Sequence, residues 1–224
     1  MNNDKIEVEN IDIKENHKII MEILPNLCGI LNKHEIDYYL IGAIPAILLI
    51  NGKLSRYHDD IDILINENDI DKLKLVLSNK DYILEDKTHD KNKIWQEQKN
   101  KPKGGHEWEA TYTKYKFKIG FFLFKREIDN SITTRTYFTK DNVFAVEENY
   151  STIETTKLRY PEKFETFNNF KFRTCCFELL YNVKNFLTRP KDICDKSIIE
   201  PHINKNIAFE LEEEYKQKKR IVVV

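Results

Sequence analysis

Two aspartates separated by one residue, Asp60 and Asp62, are the residues in this 224-residue chain best arranged for chemistry. They lie in Asp59-Asp60-Ile61-Asp62-Ile63-Leu64-Ile65, a run whose β-branched and apolar content predicts a strand. Side chains alternate faces along a strand, so both carboxylates project to one side, with Cα atoms about 6.6 Å apart. Carboxylates that close repel each other unless a cation lies between them. An acidic, oxygen-rich site of this kind suits Mg²⁺, which takes one or two protein carboxylates together with substrate phosphates. The same alternation would fit the solvent face of an edge strand. Ile61, Ile63, Leu64 and Ile65 make the segment too apolar for an ordinary edge, so metal ligation by Asp60 and Asp62 is the favoured reading.

The preceding residues supply what such a site needs around it. Glu35 to Ile41 predicts the first strand, Gly42-Ala43 a sharp turn, and the apolar run after it a helix with Pro45 at an early, tolerated position. A helix that starts at a glycine turn presents free N–H groups and a positive dipole end to a phosphate. Ala43 offers no hydroxyl there, so Gly42 and Ala43 would bind phosphate through the backbone. A polar loop carrying Ser55, Arg56 and His58 then leads into the aspartates.

This order, Gly42-Ala43, a helix, then Arg56-x-His58-x-Asp60-Ile61-Asp62, resembles the nucleotidyltransferase superfamily that includes DNA polymerase β. Its Arg-x-His-x-Asp-Ile-Asp form is similar to antibiotic nucleotidyltransferases acting on lincosamides and aminoglycosides. A second block extends the resemblance. A helix over Phe177 to Thr188 carries Lys184 on its apolar stripe, followed by Arg189-Pro190-Lys191-Asp192-Ile193-Cys194-Asp195. The resemblance implies that Lys184 neutralises triphosphate charge with help from Lys191, while Asp192 and Asp195 cap and brace the next helix. From the residues alone, Arg189, Lys191, Asp192 and Asp195 read as a surface ion-pair network.

The resemblance also implies a third carboxylate on a strand beside the aspartate pair. The local match is Ile119-Gly120-Phe121-Phe122, with Gly120 where an acid is expected. Either Glu107 or Glu109 on the neighbouring strand of a Glu107–Thr113/Phe117–Phe124 hairpin supplies it, or it is missing. The period-2 rule puts Glu107 and Glu109 on one face; equally, they could be surface glutamates of an amphipathic hairpin. His106 is a weaker candidate.

The rest of the chain predicts an α/β (α+β) fold: a mixed β-sheet flanked by helices, with a β-rich extension and C-terminal helices. Residues 1–14 read as a loosely ordered N-terminus, 15–174 as the sheet domain with its extension, and 175–224 as helices packed on it. A first helix spans Ile19 to Leu31, with Pro25 expected to kink or divide it. Lys87 to Gly105 reads as a polar connection. Residues 131 to 174 read as strands and turns, Ile203 to Lys219 as a last helix, and Arg220–Val224 as an apolar tail able to pair with this chain or another copy.

Composition narrows the class. Charged residues make up 33%, hydrophobics 41%, and the net charge is −1, so no global basic field points to nucleic acid. The longest apolar run, Ile44 to Ile50, is far too short to span a membrane, and the first residues do not form a signal peptide. A cytoplasmic location is the expectation. The four cysteines lack zinc spacing and read as free thiols. The expected activity is transfer of a nucleoside monophosphate from an NTP, ATP first, to a hydroxyl of a small aminoglycoside- or lincosamide-like molecule, with Mg²⁺ as cofactor. Two alternatives remain: a toxin-like transferase acting on tRNA or protein, and a catalytically silent nucleotide-binding module. Oligomeric state is left open.

Overall fold

The computed structural model describes residues 13–78, 80–87, 107–140, 143–187 and 189–223, with backbone alone for 136–140, 143–146 and 221–223. Helix α1, Ile13–Lys33, turns Ile20, Ile23, Leu24, Leu27, Cys28 and Leu31 inward. Pro25 lies inside it, and of the two outcomes expected, a kink or a division, the helix is not divided. One missing N–H is outweighed by an apolar stripe that stays buried on both sides of the proline.

Strand β1 (Tyr38–Ile41), helix α2 (Ala43–Asn51) and strand β2 (Asp60–Asn66) follow. Helix α3 (Ile70–Ser78) and strand β3 (Tyr82–Asp86) lead to the hairpin of β4 (Trp108–Tyr112) and β5 (Phe117–Arg126). Strands β6 (Ile132–Lys140) and β7 (Val143–Tyr150) form a second hairpin. Helix α4 (Ile153–Arg159) occupies a stretch read from sequence as strands and turns; Thr152 caps it by accepting the Thr155 N–H. A small β8–β9 pair (Glu165–Phe167, Phe170–Phe172) precedes helices α5 (Phe177–Phe186), α6 (Pro190–Ile199) and α7 (Lys205–Lys218). The apolar tail, β10 (Lys219–Val223), pairs antiparallel with β7 of the same chain.

The main sheet runs β1-β2-β5-β6-β7-β10, with β4 and β3 branching from β5. Strands β2 and β5 are parallel and every other pairing is antiparallel. The sheet forks at β5: Phe117–Phe121 pairs with β4, and Phe124–Arg126 pairs with β6. One face packs Ile61, Ile63, Ile65, Ile119 and Phe121 with residues of α1 and α3. The other face packs Tyr39, Leu64, Phe124 and Ile132 with Tyr160, Leu180 and Ile199. Asp60 and Asp62 share the face of Leu64. No described helix is long and apolar enough to cross a membrane.

Candidate active site

Gly42 sets the floor of the site. Its backbone lies at φ 76° and ψ −170°, a region almost exclusive to glycine. A Cβ there would stand 3.1 Å from Oδ2 of Asp62. Glycine thus allows both the turn into α2 and the close passage of the Asp62 carboxylate under the helix N-terminus.

Asp62 pairs with Ile41 on one side and Gly120 on the other. Its carboxyl is pushed up to about 7, first by burial and then by the neighbouring charge of Asp60, with Lys184, Lys191 and Arg189 opposing. Asp60 is exposed at the start of the strand. Ile41, Gly42, Ala43, Ile44, Asp59, Asp60 and Asp62 form one wall of a cleft, faced by Arg56, His58, Lys184, Arg189 and Lys191. Arg189 was read from sequence only as part of a surface ion network. Ser55 is exposed and does not line the cleft.

Arg56, Lys184 and Arg189 are held by acids from α6. Arg56 grips Asp195 through two bonds, 2.8 and 2.7 Å, and donates to the Tyr57 carbonyl at 2.7 Å. Lys184 reaches Asp192 at 2.7 Å and Asp195 at 3.1 Å. An ammonium has three N–H donors, so this leaves one for the cleft. Arg189 binds Asp192 at 2.5 Å, and Lys191 meets Asp59 at 3.3 Å. The network is not a surface one, because the Asp192 and Asp195 side chains are both 0% exposed. Burial pushes Asp192 up, but Arg189 and Lys184 more than offset it and hold the carboxyl at about 2.

His58 is buried, and its Nε2 has no hydrogen-bond partner among the described residues. Burial and then Arg56 depress its pKa to about 3, so the ring stays neutral.

The two hairpin glutamates differ. Glu109 stands directly across Gly120, which stands directly across Asp62, so the three share one face. With no side chain at Gly120, nothing on β5 separates Glu109 from Asp62 across two strand spacings, about 9.6 Å. Glu109 lies 3.4 Å from Lys118 and 3.6 Å from Lys87. Glu107 sits at the fork of the sheet, where its Oε2 accepts the Leu123 N–H at 3.0 Å. Neither glutamate lines the cleft. His106 and residues 88–105 of the polar connection fall outside the described residues.

Glu107 carries a stability prediction. Burial is the main cause that pushes its carboxyl from 4.5 up to about 8, against the Leu123 N–H, and its Oε1 is buried without a partner among the described residues. A carboxyl raised on folding imposes no penalty below its unfolded value. It loses stability for the protein as pH climbs from about 4.5 through 8. Glu107→Gln should therefore stabilise the fold more at pH 8 than at pH 5, by on the order of 1–3 kcal/mol. Urea unfolding at the two pH values measures this, and equal effects at both would refute it.

The donor set fits a divalent ion. Asp60 and Asp62 stand on one face of β2, and burial together with the Asp60 charge raises the Asp62 carboxyl, a cost that a cation between them would relieve. The described residues hold no cluster of three or more His, Cys, Asp or Glu side chains suited to a metal. An ion here would rest on Asp60 and Asp62 and take its other ligands from water and phosphate, as Mg²⁺ commonly does.

Three solved structures share this architecture. The lincosamide antibiotic adenylyltransferase LnuA, with lincomycin bound, aligns at TM-score 0.54 and 15% identity, over 78% of this chain and 92% of that one. ANT(2'')-Ia in complex with adenylyl-2''-tobramycin aligns at TM-score 0.57 and 12% identity, over 89% and 98%. The solution structure of ANT(2'')-Ia, an antibiotic-resistance factor, aligns at 0.53 and 12%, over 89% and 92%. This chain shares the fold of these antibiotic nucleotidyltransferases. At such identities the likeness concerns the nucleotidyltransferase fold alone. No protein-family model and no curated protein sequence matches the chain.

Proposed function

We propose that this protein is a Mg²⁺-dependent nucleotidyltransferase that moves a nucleoside monophosphate from an NTP, ATP first, to a hydroxyl of a small molecule of the aminoglycoside or lincosamide kind. The observation that carries the reading is the cleft itself: paired carboxylates beneath a glycine turn, facing a wall of lysine and arginine, within a nucleotidyltransferase fold. The neighbours of that fold were solved with lincomycin and with adenylyl-2''-tobramycin, which supports a small acceptor.

Asp60 and Asp62 would hold the ion. Bound there, a divalent ion would supply neutralisation of phosphate charge during the transfer. Transfer of this type depends mainly on positioning and electrostatics, and the chain's own groups are disposed for both. The backbone N–H groups that open α2, at Ala43 and Ile44, bind phosphate oxygens, and Gly42 lets them approach. Lys191 and Arg189 attract the triphosphate, and Lys184 offers its remaining donor. His58 donates from a neutral ring, while Arg56 holds the loop in place through Asp195.

Glu109 is the base for the acceptor hydroxyl, because it stands on the Asp62 face with an empty position between them. Glu107, with its raised carboxyl, is the second candidate. Turnover of Glu109→Gln and Glu107→Gln separates them, with the larger loss expected for Glu109→Gln and no loss in either removing the base from the scheme. The absence of an acid at Gly120 favours one rival, a module that binds nucleotide without transferring it.

Incubation with α-labelled ATP, Mg²⁺ and a panel of aminoglycosides, lincosamides, tRNA and protein tests the whole reading. Labelled drug is the expected product. Labelled RNA or protein would replace the acceptor class, and nucleotide binding with no transfer to any acceptor would favour the silent module.

A further inference from the structure

We infer that Asn16, on the first turn of α1, is a positioning residue for the carboxylate site, one that clamps the peptide of His58 and so fixes where β2 begins. The inference rests on the proposed role of Asp60 and Asp62, but its geometry stands by itself. Asn16 is 1% exposed, on a helix face otherwise occupied by Ile20, Ile23, Leu24 and Leu27. An unpaired carboxamide there would be costly, and an aliphatic side chain would suit the face. The carboxamide is fully used instead. Its Nδ2 donates to the His58 carbonyl at 3.0 Å, and its Oδ1 accepts the His58 N–H at 2.9 Å. These are the two bonds an adjacent strand would make to that residue.

The loop needs such a substitute. Strand β1 ends with Ile41 opposite Asp62, and β2 begins at Asp60, which pairs only with Lys118 of β5. Asp60 therefore has a neighbouring strand on one side alone, and nothing in the sheet holds the chain before it. Three outside contacts pin that chain at alternate residues. His17 Nδ1 accepts the Leu54 N–H at 3.3 Å, Asp195 holds Arg56, and Asn16 holds His58. Asn16 is the nearest of these three to the carboxylates; the exposed Lys191–Asp59 pair, at 3.3 Å, lies closer but grips a side chain and not the backbone. Asn16 is also the only one of the three that binds both the N–H and the carbonyl of a residue.

Few side chains can replace it. Aspartate has no donor for the His58 carbonyl. Leucine satisfies neither group and leaves both buried, and serine reaches one at most. Residues that orient metal ligands from behind typically alter ion affinity or activity about 10–100-fold when removed.

The experiment compares wild type with Asn16→Leu, Asn16→Asp and the milder Asn16→Ser. Asn32→Ala is the control, because Asn32 lies on the same helix and bonds the Lys171 carbonyl and Tyr38 hydroxyl, away from the site. Three quantities are read: Mn²⁺ binding by calorimetry, amide exchange over residues 54–62, and kcat against KM for the nucleotide. The Asn16 variants should exchange faster over 54–62, bind Mn²⁺ about tenfold more weakly and lose kcat more than KM, with Asn16→Ser intermediate. Asn32→Ala should lower Tm without these changes. Wild-type affinity for Mn²⁺ in Asn16→Leu and Asn16→Asp would overturn this inference alone. Failure of the wild type to bind any divalent ion would overturn the proposed function, and the site role of Asn16 with it.

Discussion

Asp62→Asn should abolish nucleotide transfer and stabilise the protein in the same step. Lost hydration first and the charge of Asp60 second raise the carboxyl to about 7, so at pH 8 without divalent ions the fold carries a desolvation and repulsion cost that an amide of the same shape removes. Melting temperature in metal-free buffer should rise by several degrees, about what 1–2 kcal/mol gives in a chain of this size. Turnover with labelled ATP should fall by roughly a thousandfold or more, because the pair can no longer hold a divalent ion against the phosphates. Asp60→Asn separates the two effects. Asp60 is exposed and supplies only the second cause of the Asp62 shift, after burial, so its substitution should remove activity while raising the melting temperature less than Asp62→Asn does. Retention of a tenth or more of wild-type turnover in Asp62→Asn would sink the assignment of that residue. A melting temperature unchanged or lowered would sink the account of stored repulsion.

Asp195→Ala should be the most destabilising single change in the C-terminal helices. The side chain is 0% exposed and receives both Arg56 and Lys184. Removing one partner of a buried network leaves the others charged and unmatched, which costs about 3–5 kcal/mol. In a chain of this length that lowers Tm by on the order of 10 °C. The same change frees Arg56, so turnover should fall in the surviving folded fraction. Acid should mimic part of the effect. The Asp192 and Asp195 carboxyls are both held below the usual value of 3.8, Asp192 at about 2. A depressed carboxyl gives its full stabilisation above the unfolded value and loses it as pH falls, here between about 4 and 2. A loss of less than 1 kcal/mol in Asp195→Ala by urea unfolding would show that the network is energetically idle.

The parts legible in the sequence were those governed by short-range pattern. The alternation Asp60-Ile61-Asp62-Ile63 announced a strand with one acidic face, and Gly42 a turn only glycine can make. The hairpin around Tyr115-Lys116 followed from two alternating runs. What stayed hidden depended on distant partners. Pro25 was expected to kink or divide α1, and it does not divide it, because the burial on both sides of it cannot be read from the helix alone. Helix α4 was missed because Thr152–Arg159 is short and polar, and its buried Arg159 finds Asn149, Ser151 and the Leu211 carbonyl only in the fold. Asn16 gave no signal at all, since its partner is a backbone 42 residues away. The contrast between Glu107 and Glu109 required the register of β4 on β5, which places Glu109 and not Glu107 opposite Gly120.

The bond between Arg56 and Asp195 joins residues 139 positions apart. On a ribosome, the strand bearing Asp60 and Asp62 emerges long before helix α6 is made. The early chain can close its β1–β2 pairing while Arg56, Lys184 and the acids that organise them have yet to meet. Bringing such remote segments together carries a loop-closure cost that local pairings do not, so it is expected late in folding. Competence to bind a nucleotide therefore arrives with the final quarter of the polypeptide, and a nascent chain stalled before α6 would display its acidic strand without the basic wall that faces it.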